Sequence, residues 1–315
     1  MPLPMRRSRA ALLTALGVDN FGSGLFLPVA LVYVTRVVGL PLATAGGFLR
    51  AHPAQNTILL GAAETLLARG PAAFGTATPL FGWRAGPDGT VDAAFLHTPP
   101  YPVVLTAMPG EAATALAAEL ARRGHPVPGV NAATEPGAAF AAAWQELTGQ
   151  AARGGMRMRL YRLARLLPPD PPPPGQARTA SAADRDLMLS WLDAFHDEAG
   201  PAGPRESQQV VDDRLSFGGL VLWEHARAPV SLAGRTRPAG GQARVGPVYT
   251  PPDLRGRGFG AAVTAAVTQA ALDGGADGVV LFTDLANPTS NTLYQRLGFR
   301  PVCDWAVLTF ADRAG

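Results

Sequence analysis

No lysine occurs in the 315 residues, so arginine alone supplies the basic charge, and a phosphate-binding P-loop, which needs a lysine, is excluded. A single cysteine, Cys303, excludes an internal disulfide framework and any multi-thiolate metal site, and points to a reducing compartment. The five histidines show neither an HExxH pattern nor paired spacing, so no metal is expected. Charged residues make up only 16% of the chain and the formal net charge is +3. The arginine clusters are short (Arg6, Arg7 and Arg9; Arg122 and Arg123; Arg255 and Arg257), which excludes a protein that lives on phosphate contacts to nucleic acid. What is present is 47% hydrophobic residues with 36 glycines and 30 prolines, the composition of a turn-rich globular protein. The length favours two domains.

Residues 1–44 differ from the rest. Arg6, Arg7 and Arg9 precede an apolar run from Ala10 to Val34 whose single charge is Asp19, a run long enough to span a bilayer. Within it GVDNFGSGLFLP, Gly17 to Pro28, resembles part of the first membrane helix of a major facilitator transporter, but no second such helix follows. A cleaved secretory signal fits the basic start, yet the run is long and carries Asp19 and Pro28. A true anchor with the arginines inside would place the rest of the chain outside. The expectation is a fusion or translation-start remnant, or a helix lying on a surface. Membrane contact is then confined to residues 1–44 and the remainder is cytoplasmic.

Residues 45–167 read as an α+β domain. FLRAHPAQNTILLGAAETLLARG suggests a helical pair, FGWRAGPDGTVDAAFLHT a hairpin around Gly-Pro-Asp-Gly, Glu111–Arg123 and Ala138–Thr148 helices, and Met156–Leu166 a strand. The run PPDPPPPG, residues 168–175, resists helix and sheet and marks a linker. In 176–315 a helix is expected over Ala182–Phe195 with Ser181 as N-cap, and another over Glu206–Leu215. Strands follow at Gly219–Glu224, Val230–Thr236 and Ala243–Thr250. Then come a helix Gly258–Leu272, a strand Val279–Thr283, a helix Ser290–Leu297 and a final strand Val302–Phe310.

Chemistry concentrates where the strand ending at Thr250 meets the next helix, through PPDLRGRGFG. Glycines at a helix start let the backbone approach a ligand, and the free amides of the first turn, with the helix dipole, favour an anion such as pyrophosphate. Arg255 and Arg257 add charge to that spot. Gly256, Gly258 and Ala261 satisfy the GxGxxG/A dinucleotide fingerprint, and Asp284 ends the next strand. However, Pro251 to Arg255 separate the first glycine from its strand, and too little chain remains for a nucleotide-binding sheet.

Arg255, Gly258 and Gly260 also match RxxGxG/A. With ARTASAADRDLMLSW and VGPVYTP ahead and NPTSNTLYQRLGF behind, residues 176–315 resemble the GNAT superfamily of N-acetyltransferases. The last segment is similar to the family's NxxAxxxYxxxGF, with Asn287, Tyr294, Gly298 and Phe299 in place and Ser290 where alanine is usual. The resemblance implies an α+β GNAT fold, a mixed, largely antiparallel sheet flanked by helices, and acetyl-CoA as cosubstrate. It implies that backbone groups around Val248 and Tyr249 hold the pantetheine arm, and that amides of Gly256, Arg257, Gly258, Phe259 and Gly260 hold the pyrophosphate. Asn287 and Ser290 would contact the cofactor, and Tyr294 would protonate the leaving thiolate, a role that suits a phenol neutral at physiological pH.

The implied reaction is direct transfer of an acyl group to a primary amine, on a small molecule or a peptide. A binding module that keeps the CoA cradle without turnover is the alternative. Glu206, Glu224, Asp284 and His225 are open candidates for the general base. Residues 45–167 repeat the same element order without an RxxGxG, which suggests a degenerate second copy of the fold.

Overall fold

A computed structural model describes residues 32–36, 40–86, 88–199 and 207–311. The transporter-like segment Gly17–Pro28 lies outside them, and only the end of the apolar run is described, Val32–Val34 belonging to a strand. No described helix is long and apolar enough to cross a membrane.

Two halves repeat one order of elements. The first runs β1 (Val32–Arg36), α1 (Leu40–Ala51), α2 (Thr57–Arg69), β2 (Leu80–Ala85), β3 (Val91–His97), β4 (Val103–Leu105), α3 (Gly110–Arg122), β5 (Gly129–Ala133), α4 (Thr134–Thr148) and β6 (Ala151–Leu163). The second runs β7 (Gln176–Thr179), α5 (Arg185–Ala199), α6 (Ser207–Leu215), β8 (Leu220–His225), β9 (Ala228–Arg235), β10 (Gln242–Tyr249), α7 (Phe259–Asp273), β11 (Gly278–Asp284), α8 (Pro288–Arg296) and β12 (Phe299–Ala311). The repeat is the one expected from element order.

Local chemistry accounts for the elements. The β2–β3 hairpin closes through Gly86 N to Thr90 O at 2.7 Å, and Asp88 accepts from the Thr90 amide at 3.0 Å, the side-chain-to-backbone pattern that makes Asp a turn residue. Alanine, the strongest helix former, dominates α7. Its Phe259, Ala262, Val263, Val267 and Ala271 fall at helical spacing and are buried against Val221, Ala233, Val245 and Leu281 of the sheet.

Among the described residues the twelve strands form one sheet in the order β1-β2-β3-β4-β5-β12-β6-β11-β10-β9-β8-β7. Pairing is antiparallel except at β4/β5 and β10/β11. The halves exchange their last strands: β12 lies between β5 and β6, and β6 lies between β12 and β11. The proline run at 168–175 therefore joins two strands of a continuous sheet. It packs on the second half, where Trp223 Nε1 donates to Pro174 O at 3.1 Å.

Four strands, β1, β4, β5 and β7, do not appear in the sequence reading. β4 has 3 residues and β5 reads GVNAA, too short or too small-chained to show period-two alternation. β7 precedes the helix expected over Ala182–Phe195; the α-helix begins only at Arg185, after a 3-10 turn over Ala182–Asp184 in which Asp184 Oδ2 accepts from the Ser181 amide at 2.8 Å.

Candidate functional site

β10 and β11 pair in parallel only from Gln242↔Gly278 to Val245↔Leu281. Beyond Val245 the register of β10 against β9 shifts as well, resuming at Val248↔Ala233 and Tyr249↔Leu232. β11 continues to Asp284 on β6. The two strands thus part at Gly246, and the V between them opens along Val248 and Tyr249, the residues expected to face an extended ligand arm.

The glycine loop stands at the mouth of this V. Gly256 and Gly258 have φ of 74° and 82°, left-handed backbone in which a glycine avoids the penalty of a Cβ. Gly258 caps α7. The first amide of α7 with an internal acceptor is that of Ala262, which donates to Gly258 O at 3.1 Å. The amides from Gly256 to Ala261 have no acceptor among the described residues, so Arg257, Gly258, Phe259 and Gly260 carry free donors at a helix N-terminus.

Arg257 is exposed and its Nη2 donates to Asp253 O at 3.1 Å, with no ion-pair partner among the described residues. Arg255 is placed differently from its expected role. Its Nη2 lies 2.8 and 2.7 Å from the two oxygens of Glu198, its Nε donates to Thr250 O at 2.9 Å, and its guanidinium stands over the Tyr249 ring. It fastens the loop to the end of α5, with its charge already matched. Glu198 escaped the sequence reading because 57 residues separate it from Arg255 and no local pattern joins them.

Asn287 is the N-cap of α8: its Oδ1 accepts from the Ser290 amide at 3.0 Å. That bond occupies the acceptor of Asn287 and the amide of Ser290, and no described residue engages the Asn287 amide group or the Ser290 hydroxyl.

Tyr294 is buried on α8, its ring edge-on to Phe299 with centroids 6.2 Å apart. Burial pushes its pKa up to about 12, because the phenolate would lose hydration. The hydroxyl has no partner among the described residues. A second tyrosine, missed in the sequence, sets this helix in place. Tyr161, on the exchanged strand β6, donates to Asn291 Oδ1 at 2.9 Å and accepts from Gln295 at 3.1 Å, while Asn291 Nδ2 donates to the carbonyls of Asp284 and Asn287, each at 2.8 Å.

Of the base candidates, Glu224 is held by Arg178 Nε at 2.7 Å. Asp284 accepts from the Ala286 amide at 2.8 Å, and His225 lies against Phe259. Glu206 is outside the described residues.

The corresponding place in the first half, between β4 and α3, is built otherwise. It has no glycine before the helix, Pro109 O accepts from the amides of Ala112 and Ala113 at 2.9 and 3.2 Å, and Glu111 puts a carboxylate in the first turn. A negative side chain there opposes an anion. Only one of the two repeats presents the cradle.

Residues 227–306, which contain the loop, β11, α8 and most of β12, match the family model described as FR47-like protein. Solved structures match over more of the chain. A GCN5-related N-acetyltransferase from Sphaerobacter thermophilus superposes with a TM-score of 0.57 at 18% identity, covering 88% of this chain and 94% of its own. A GNAT-family acetyltransferase from Colwellia psychrerythraea gives 0.53 at 11%, covering 88% and 99%. The fold is the GNAT fold. A third GCN5-related N-acetyltransferase, from Kribbella flavida, gives 0.50 at 25% identity over 71% of this chain and 88% of its own. No curated protein matches the sequence. The first two superpositions cover more of the chain than either half alone, so the GNAT likeness takes in both repeats and the exchanged strands between them.

Proposed function

We propose that this chain is an acyl-CoA-dependent N-acyltransferase that moves an acetyl group from acetyl-CoA to a primary amine by direct attack in a ternary complex. The observation that carries the reading is the row of free amides from Gly256 to Ala261, at the start of α7 and beside strands that part at Gly246. A diphosphate fits this cradle: the donors are unspent, nothing crowds Gly256, and Arg257 brings charge that no described carboxylate matches.

When bound, acetyl-CoA supplies the acyl carbon to which the amine nitrogen bonds as the C–S bond breaks, the amine giving up a proton and the departing thiolate taking one. The residues of the chain bind and orient. The amides of Arg257 to Gly260 hold the pyrophosphate, the unpaired edge of β10 at Val248 and Tyr249 holds the pantetheine arm, and the free amide group of Asn287 and the Ser290 hydroxyl offer further contacts at the start of α8. Tyr294 keeps the proton for the thiolate at its Oη, and its raised pKa keeps that proton in place across the working range. The Tyr161–Asn291 bond orients α8 and with it Tyr294.

The test is calorimetric titration of the protein with acetyl-CoA, followed by thiol release with a panel of amines. Binding with amine-dependent release supports the reading. Binding with no release for any amine favours a CoA-binding module, and no binding overturns both.

A further inference from the structure

Arg244, on β10 two residues before the strands part, has no carboxylate partner among the described residues. Ala243 and Val245 turn into the core under α7, so Arg244 emerges on the other face. There it is in register with Val280, which packs with Leu160 and with Ala54 from the α1–α2 turn of the first half. Arg214 reaches the same region from α6, its Nη1 donating to Gly246 O at the point of the V. The sheet is cut away to admit it: a Cβ on Gly234 would come within 2.4 Å of the Arg214 guanidinium. The first half closes over this face, through Glu64 accepting from the Gly240 amide at 3.0 Å and through the Arg69–Asp213 ion pair.

The two arginines are close enough to repel. Burial, then the charge of Arg244, lowers the Arg214 pKa to about 10, with Asp213 acting in the opposite sense, and burial lowers that of Arg244. Asp213, the carboxylate that acts on Arg214, is engaged by Arg69, and the Arg244 guanidinium has no hydrogen-bond or ion-pair partner among the described residues. Both residues nevertheless keep part of their surface open to solvent. Two enclosed like charges without a counter-ion are costly to the fold alone, and this pair stands beside the point where β10 and β11 part, where an anionic group of a ligand would offset that cost.

We propose that Arg244 and Arg214 form the recognition site for a carboxylate on the acceptor, so that the amine substrate of this chain is an ω-amino acid with several bonds between its amine and its carboxylate. The proposal rests on the acyl-transfer reading for the position of the amine, in the V beside Val248. Val248 is four positions beyond Arg244, at most about 13 Å at the usual strand rise and less across the irregularity between Val245 and Val248, which places the carboxylate several bonds from the reacting nitrogen. The same pair disfavours polycationic acceptors such as polyamines.

Two measurements on the full chain test this. In the first, amino carboxylates of increasing chain length are titrated into wild type and Arg244→Met by calorimetry, each beside its carboxamide. Wild type is expected to bind the carboxylate form at least about tenfold tighter, and Arg244→Met to lose that preference while binding acetyl-CoA as before. Arg244 makes no internal side-chain bond, so the variant keeps its fold; Arg244→Lys keeps part of the preference. In the second, thiol release is compared for the same pairs. Carboxylate binding through Arg244 without any acyl transfer would leave the carboxylate site standing and remove the proposed function and with it the acceptor role. Acyl transfer to carboxylate and carboxamide at equal rates, unchanged in Arg244→Met, would overturn the inference and leave the function. Loss of acetyl-CoA affinity in Arg244→Met, or an Arg244-dependent preference for a dicarboxylic acyl-CoA over acetyl-CoA, would also overturn it by assigning the pair to the acyl donor.

Discussion

The Arg255 guanidinium spans both carboxylate oxygens of Glu198, at 2.8 and 2.7 Å, and so ties the glycine loop to the end of α5. Because this arginine is already matched, its charge adds little at the diphosphate. Among the described residues Arg257 has no such partner. Arg257→Gln is expected to weaken acetyl-CoA binding more than Arg255→Gln does, with a difference that shrinks as salt screens the exposed charge. Glu198→Gln should tighten binding by releasing Arg255. Calorimetry at low and high ionic strength checks all three, and the melting temperatures should move little, since an exposed pair contributes about 1 kcal/mol or less.

Tyr294→Phe removes only a hydroxyl. If that hydroxyl supplies the proton to the thiolate, kcat falls by about a hundredfold while acetyl-CoA affinity stays the same; an unchanged kcat would reject the role. The variant also has a signature in stability. With the folded pKa raised to about 12, the wild type is fully stable below the ordinary tyrosine value near 10. Between about 10 and 12 the unfolded chain ionises first, and the wild type loses up to about 3 kcal/mol that the phenylalanine variant does not lose. Urea unfolding at a series of alkaline pH values reads the difference.

Gly258→Ala places a side chain at φ +82°, with its Cβ 3.5 Å from Pro173 of the proline run. The contact is ordinary, so the cost is in the backbone, about 1 kcal/mol. Relief of that strain turns the first amides of α7. Acetyl-CoA affinity should fall by more than tenfold while stability changes only modestly, a split that calorimetry and thermal unfolding resolve.

The loop and α8 were legible in the sequence because both are local: a glycine-spaced helix start, and an Asn, a Tyr and a Gly-Phe at fixed separations along one segment. The contacts that place them were not legible. Glu198 meets Arg255, and Tyr161 meets Asn291, across 57 and 130 residues, and no periodicity carries such pairings. The same holds for Arg244, which reads in the sequence as one polar residue of an alternating strand. Only register with Val280 and the approach of Arg214 show that it is enclosed. Among the strands, β8 to β12 alternate or run apolar and were found, whereas β4 and β5 are fixed by their neighbours in the sheet rather than by their own composition.

His97 in the first half gives an acid-side prediction. It is fully buried at the end of β3, its Nδ1 2.7 Å from His125 Nε2 and its own Nε2 without a hydrogen-bond partner among the described residues. Burial, then the neighbouring His125, lowers its pKa to about 4, against a weaker opposing bond at Tyr101. Above about 6.5 the imidazole is neutral in both states and the fold keeps its full stability. As pH falls from about 6.5 to about 4 the unfolded chain takes the proton first, and about 3 kcal/mol is lost. His97→Phe keeps a ring of similar size and should flatten this limb in urea unfolding measured from pH 7 to pH 4.

The strand exchange makes a prediction about the halves. Expressed alone, residues 168–315 contain the glycine loop, Asn287 and Tyr294 but lack β6, which pairs β11 from Arg162↔Val280 to Met158↔Asp284 and runs beside β12 from Leu163↔Phe299 to Ala151↔Ala311. Removing it leaves two unpaired edges in the middle of a sheet, the arrangement that recruits other chains. It also takes away Tyr161, and with it the bond that orients α8. The fragment is expected to aggregate and to bind no acetyl-CoA, and co-expression with residues 31–167 should restore one soluble complex that binds it. A fragment that stays monomeric and binds acetyl-CoA would mean that β12 can move beside β11 in place of β6, so that the exchange joins the halves without being needed by the site.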